Sequence, residues 1–339
     1  MITVTELLRI RDLSVVYKTR RGTAYGVNNL SLDLEENTTL GLAGESGCGK
    51  STLGRAIMRL VPYPGQIASG EISLNIDREI VCGGGVIRKG MTNLMELNDN
   101  QMRSLRGCQI AYIFQDPMTS LNPMRTIGKH FEELMRAHDP TIKKEEAIER
   151  AKEILEGLGI LPDRVVDYPH QFSGGMRQRV MIGLGLALRP KLLIADEPTT
   201  SLDVIVEAQI LKQVAELKAK FNLTMILITH NLGVLASTAD SIAIMYAGRI
   251  VEVADTNSIF ESPQHPYTQA LLESVPDVSK PDKRLSWIPG APPDLNRPVS
   301  GCMYNPRCPH VMEICREVNP QLVRSGTGGL VACHLYDGG

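Results

Sequence analysis

The sequence predicts an α/β fold: a largely parallel sheet with helices, a helical insertion, and an irregular C-terminal appendage. Three observations carry that prediction. KLLIAD at 191–196, TMILIT at 224–229 and SIAIMY at 241–246 are short apolar runs bounded by polar residues, as expected of strands buried on both faces. Ala147, Ile148, Ala151, Ile154, Leu155 and Leu158 recur at the 3.6-residue period with Lys and Glu opposite, which marks an amphipathic helix. Prolines at 263, 266, 276, 281, 289, 292, 293, 298, 306, 309 and 320 break up the C-terminal stretch.

Taken in order, LLRIRDLSVVY (7–17), NNLSLDLE (28–35) and TTLGLAG (38–44) read as strands, and a helix is expected from Lys50 through Leu60. GEISLNI (70–76) is a further strand. Residues 77–100, with Gly-Gly-Gly at 83–85, read as a surface excursion. CQIAYIF (108–114) returns to the sheet, and a helical subdomain is expected over about 117–188. A crossover helix follows at about 204–220. The texture changes near Asn257, so the chain divides into a domain at 1–256 and a tail at 257–339. No internal repeat is visible.

With 43% hydrophobic and 22% charged residues, the 339-residue chain has the composition of a globular protein. A net charge of −2 gives no basic field, so nucleic acid is not expected as a partner. The N-terminus lacks the cationic start and apolar block of a signal peptide, and no apolar run approaches a membrane span. The protein is expected to be soluble, with any membrane role exercised through partners.

Gly44-Glu45-Ser46-Gly47-Cys48-Gly49-Lys50-Ser51 fits the phosphate-binding pattern G-x-x-x-x-G-K-[ST], and it lies between a predicted strand and a predicted helix. Glycines let the backbone curl so that successive N–H groups face phosphates, and the helix N-terminus adds its dipole. Lys50 is expected to reach the β- and γ-phosphates of ATP and the Ser51 hydroxyl to bind Mg²⁺, with Thr52 next in the helix. Cys48 reads as a passive small residue. The run ending in Asp196-Glu197 delivers one carboxylate at a strand tip for Mg²⁺. The next carboxylate, Glu197, is suited to polarise the attacking water as a general base.

Phe172-Ser173-Gly174-Gly175-Met176-Arg177-Gln178-Arg179, placed before an apolar helix, resembles the signature motif of the ABC ATPases. That resemblance covers nearly the whole chain and implies a P-loop ABC-type nucleotide-binding domain. It implies that Ser173, Gly174 and Gly175 cradle the ATP of a second subunit. By the same resemblance Gln115 senses Mg²⁺ and the attacking water and couples to the membrane subunit. Asp203, in Ser201-Leu202-Asp203, reaches the opposite site, His230 contacts the γ-phosphate, and Tyr17 stacks on adenine. Two positions depart from the common pattern: Met176 stands where many members have Gln, and Asn231 where Asp is common. Neither removes a group essential to hydrolysis, but Asn231 leaves open how His230 is held.

In the tail, His265-Pro266-Tyr267-Thr268-Gln269-Ala270-Leu271-Leu272 resembles a segment of the oligopeptide and dipeptide importers and of related nickel or oligosaccharide importers. The stretch from Asp116 to Pro123 after Gln115 points the same way. Locally, the same residues read as a short capped helix. Cys302, Cys308, Cys315 and Cys333 are separated by 5, 6 and 17 residues, unlike the paired C-x₂-C of zinc ribbons. The uneven gaps suit thiolates converging on a larger object, such as a [4Fe–4S] cluster. Zinc, with His310 or His334 assisting, and unligated or disulfide-linked cysteines stay open.

The resemblance thus implies the ATP-hydrolysing subunit of a peptide importer, peripheral on the cytoplasmic face of the cell membrane. Its partners would be a second ATPase subunit (itself or a sister chain), two transmembrane permease subunits and an extracytoplasmic solute-binding protein. The same role in an oligosaccharide or nickel importer is the alternative. A non-transport ABC ATPase is the rival from another class.

Overall fold

The computed structural model describes residues 5–20, 22–82, 84–114, 120–198, 204–274, 287–326 and 328–336. The chain forms two compact units. One is built from Met1–Leu7, Glu35–Thr39 and Ser73–Ile228, the other from Leu8–Leu34, Leu40–Ile72 and Thr229–Gly339.

In the first unit the strands Thr224–Ile228, Leu192–Asp196 and Ile110–Ile113 lie side by side in that order, all parallel. Every residue of the first two is buried, which is why their sequences show no polar alternation. Asp196 pairs with Ile228 at the C-terminal end of the sheet, where α/β folds collect ligands. The helix Val204–Phe221 joins Leu192–Asp196 to Thr224–Ile228.

Three further helices, Ile127–His138, Lys144–Gly157 and Gly174–Leu186, pack on one another. The apolar stripe of the second is buried at Ala147, Ala151, Ile154 and Leu155. At Gly183 a Cβ would meet Ile154, Leu158 and Phe131 side chains at 3.1–3.2 Å, so glycine permits the close crossing. Glu132 is buried among these helices and ion-paired by Lys129 and Arg136, its neighbours one turn away on the same helix.

The excursion at 77–100 has more order than its sequence suggests. It holds a hairpin of Ile80–Cys82 and Gly85–Ile87, and the strand Gly90–Asn93 pairs antiparallel with Ser73–Ile76. The helix Asp99–Leu105 follows, started by a capping box between Asn98 and Gln101. Elements this short carry too few apolar positions to register as periodic.

In the second unit the greater parts of Gly22–Glu35, Glu6–Thr19 and Gly65–Ile76 form a sheet in that order. A second sheet runs Val323–Arg324, Leu330–Val331, Arg249–Asp255, Ser241–Tyr246, Thr39–Ala43. Ser241–Tyr246 is parallel to Thr39–Ala43 and antiparallel to Arg249–Asp255. The first two strands come from the tail, with Val331 opposite Glu252, and the helices Thr256–Glu261 and Pro266–Glu273 also belong to the C-terminal part. The helix Lys50–Ile57 stops short of Leu60 because Arg59 turns left-handed, with φ 51°, and the Leu60 N–H closes onto the Arg55 carbonyl. Among the described residues no helix is long and apolar enough to cross a membrane.

Candidate functional site

The strand Thr39–Ala43 is wholly buried and delivers the chain into the glycine-rich loop. Gly44, at φ 148°, and Gly49, at φ 109°, are the two points where the loop could take no side chain. A Cβ on Gly44 would lie 2.1 Å from the Met245 carbonyl oxygen, and one on Gly49 2.0 Å from that of Gly26. The loop is thus pressed onto neighbouring backbone, and the Cys48 carbonyl accepts the Gly248 N–H at 2.8 Å. Gly49 starts the helix Lys50–Ile57, whose first-turn N–H groups have no carbonyl partner within the helix and suit an anion.

Lys50 is buried, and its Nζ donates to the carbonyls of Gly44 at 2.7 Å and Glu45 at 3.0 Å. The ammonium is therefore held across the mouth of the loop. Burial raises the pKa of the Cys48 thiol, only partly opposed by Lys50, so Cys48 is a protonated, inert filler rather than a reactive thiolate. Tyr17 is half-buried; its hydroxyl lies 3.2 Å from Thr52 Oγ1, and its ring crowds Gly26 and Gly65. Tyr17 accordingly flanks the start of the loop's helix. In the same unit His230 is exposed just beyond Thr224–Ile228. The next residue, Asn231, caps the helix Leu232–Thr238, its Oδ1 accepting from Gly233 and Val234. An amide does this as well as a carboxylate, which explains how Asn serves here.

In the other unit Asp196 is buried at its strand tip and accepts a 2.6 Å hydrogen bond from the Tyr112 hydroxyl. Glu197 adopts φ 47°, a conformation unusual for its type, while its N–H donates to the Ile228 carbonyl at 2.8 Å. Ser173 is the N-cap of Gly174–Leu186, its Oγ accepting from the Met176 N–H at 3.3 Å. Ser173 and Gly174 are exposed, and among the described residues no atom beyond the adjacent residues and the helix's own backbone lies within 4 Å of where a Gly174 Cβ would be. This helix start is open, and its N–H groups are of the kind that can bind an anion. Arg164 supports it from behind, stacked 4.3 Å over Phe172 and donating to the Gln171 carbonyl. Gln115, the Asp116–Thr119 part of the following stretch, and Ser201, Leu202 and Asp203 lie outside the described residues.

The four tail cysteines are free and line one small pocket, together with His265 and His334. The Cys302 N–H donates to the Cys315 carbonyl at 2.8 Å, a close approach permitted by Gly301 at φ 69°. Burial, reinforced by the neighbouring cysteines, raises the pKa of Cys302 and Cys308, and that of Cys333 to about 11. His265 caps the helix Pro266–Glu273: its Nδ1 accepts the Tyr267 N–H at 3.0 Å, and burial pushes its pKa down to about 3. The ring is therefore neutral with its proton on Nε2, and that atom has no hydrogen-bond partner among the described residues. Among those residues no three or more His, Cys, Asp or Glu are placed so as to hold a metal ion.

Motif reading passed over three residues at these sites. Tyr112 holds Asp196, and Tyr267 and Arg307 both engage Glu45 of the glycine-rich loop. Tyr267 lies in the HPYTQALL segment and Tyr112 in the strand run CQIAYIF, but neither position carries a signal of its own, and Arg307 carries none.

A family model described as ABC transporter matches residues 27–200, just over half of the chain. The chain belongs to the ABC transporter family. A second model, oligopeptide/dipeptide transporter C-terminal region, matches residues 251–315. Among curated ABC relatives, the oligopeptide transport ATP-binding protein OppD of Bacillus subtilis (strain 168) is 44% identical over 96% of this chain and 87% of its own length. The dipeptide transport ATP-binding protein DppD of Haemophilus influenzae is 42% identical over 97% of this chain and 95% of its own. Among solved structures, the dimeric structure of MJ0796, a bacterial ABC transporter cassette, matches with a TM-score of 0.62 at 25% identity, over 74% of this chain and 99% of that one. The α/β architecture is that of an ABC cassette, and ATP with Mg²⁺ is consistent with such an ATPase.

Proposed function

We propose that this chain is the ATP-hydrolysing subunit that powers an ABC importer of oligopeptides or dipeptides, peripheral on the cytoplasmic face of the membrane. The observation that carries the reading is that phosphate loop, strand-tip carboxylates and signature cradle coexist in a chain matching peptide-transport ATP-binding proteins along nearly its full length. The boundary between cassette and tail lies at about residue 256.

The phosphate loop, with Glu45, Ser46, Gly47, Cys48 and Thr52 around Lys50, takes the ATP phosphates, and Tyr17 takes the base. Ser51, Asp196 and Gln115 would hold Mg²⁺, which neutralises charge on the β- and γ-oxygens when bound. Glu197 accepts the proton of the attacking water, and His230 contacts the γ-phosphate. Ser173, Gly174 and Gly175 are half of a site: at an exposed helix start capped by Ser173, they bind the ATP held by a second cassette, itself or a sister chain, with Asp203 reaching across. ATP therefore joins two cassettes and its hydrolysis releases them. Two permease subunits and an extracytoplasmic binding protein complete the machine and hold its selectivity.

The tail cysteines Cys302, Cys308, Cys315 and Cys333 hold a [4Fe–4S] cluster. Four free thiols lining one pocket support this, because a cationic metal centre is what stabilises several buried thiolates together. The orphaned, buried Nε2–H of His265 beside that pocket fits a sulfur acceptor. The role is structural, tying down a segment with little core of its own.

Reconstitution tests the function directly. With its permeases in liposomes and a cognate binding protein, the subunit should drive peptide uptake that requires ATP. ATP-dependent uptake of an oligosaccharide or nickel, with peptides ignored, contradicts the peptide assignment.

A further inference from the structure

The first variable residue of the phosphate loop is an acid. Glu45 places a carboxylate beside an anion site, where unneutralised charge would oppose a polyphosphate. The structure pairs it with a guanidinium from the tail. Arg307 Nη1 lies 2.8 Å from Glu45 Oε2, and Arg307 Nη2 lies 3.0 Å from Glu45 Oε1, a two-pronged match of planar fork to carboxylate. The Arg307 side chain is only 4% exposed. Its remaining donors are spent on structure: Nε on the Pro289 carbonyl at 2.8 Å, Nη2 on that of Ile288 at 3.3 Å, and Nη1 on the Tyr246 hydroxyl at 3.2 Å. A second tail residue fixes the backbone of the same loop residue, since the Glu45 N–H donates to the Tyr267 hydroxyl at 2.9 Å. Tyr267, Tyr246 and Tyr304 pack ring against ring, with centroids 4.5–5.4 Å apart, beneath this contact. Pro292 and Pro293 line a recess together with Glu45, Ser46, Gly47 and Cys48.

We propose that Arg307 is a positioning residue for ATP binding: it neutralises Glu45 and, with Tyr267, fixes the entry of the phosphate loop. Arg307 lies in the segment between Cys302 and Cys308, immediately before Cys308. Whatever holds those cysteines therefore also sets the guanidinium, which gives the tail a task in nucleotide binding. The proposal rests on the reading of this chain as an ATPase. It identifies no group that touches the reacting phosphate, so its signature is in affinity more than in turnover.

The test is a double-mutant cycle of Arg307→Met and Glu45→Gln in the full-length protein, read by equilibrium binding of MgATP and by the separation of KM from kcat. Arg307→Met should weaken MgATP binding about tenfold or more, because the carboxylate is left uncompensated. KM should rise by a similar factor while kcat changes less. Adding Glu45→Gln to Arg307→Met should recover much of that loss, and raised salt should help the single variant more than the double. A merely structural arginine predicts the opposite sign, a double variant no better than the single. Arg307→Lys guards against loss of folding: with the charge kept and the fork lost, its affinity should fall about threefold. Unchanged affinity in Arg307→Met or Arg307→Lys, or no recovery in the double variant, overturns the proposal. Wild-type protein that fails to bind MgATP overturns the ATPase reading and this proposal with it.

Discussion

Gly44 and Gly49 hold the phosphate loop in its curl because each occupies a left-handed conformation with a carbonyl oxygen at the distance a Cβ would fill. Those residues are legible in sequence, since the loop's chemistry requires them at fixed spacing. Arg307 is not, since a single arginine among prolines and cysteines is distinguished only by what the fold brings to it, here Glu45. The cysteines are intermediate. Their identity and clustering can be read from the chain, but not that all four line one pocket with the Nε2 of a neutral His265. At this scale the expected outcome concerns metal. Protein purified without oxygen should be brown and contain iron and acid-labile sulfide, and Cys333→Ser should lose most of both. Colourless protein with stoichiometric zinc would exclude the cluster.

The helix Gly174–Leu186 shows what one element must do twice. Its N-terminus, capped by Ser173, is the proposed anion cradle, and its Gly183 lets two other helices pack close. Removing the cap separates these duties. Ser173→Ala should cost about 1 kcal/mol of stability, as caps usually do. It should weaken ATP-dependent pairing of cassettes well beyond that, because the serine is exposed and free to meet a ligand. Thermal unfolding and sedimentation in MgATP measure the two effects, and equal small losses in both would argue for a purely structural cap. Long, periodic elements such as Lys144–Gly157, and apolar strands such as Leu192–Asp196, could be read directly from the chain. The hairpin of Ile80–Cys82 and Gly85–Ile87 and the tail strands Val323–Arg324 and Leu330–Val331 could not. They are two or three residues long, too short to show a pattern of their own; each pairs with a strand close by in sequence, and Leu330–Val331 also pairs with Arg249–Asp255.

For the whole molecule, the proposed function assigns the chain a loop that receives ATP and a separate, exposed helix start that takes the ATP of another copy. Two such halves on one chain are redundant unless chains pair. Dimeric cassettes among the structural relatives accord with that arrangement. The tail adds Arg307 and Tyr267 to the loop, so the glycine-rich loop and the cysteine-bearing segment are joined within one unit. The account makes hydrolysis depend on the carboxylate that follows the strand-tip aspartate. The most direct measurement of it is ATP turnover by Glu197→Gln, made together with its mass in MgATP. The variant should bind ATP and accumulate as a nucleotide-joined dimer while releasing phosphate at least about a hundredfold more slowly than wild type. Near-normal phosphate release by that variant would contradict the mechanism.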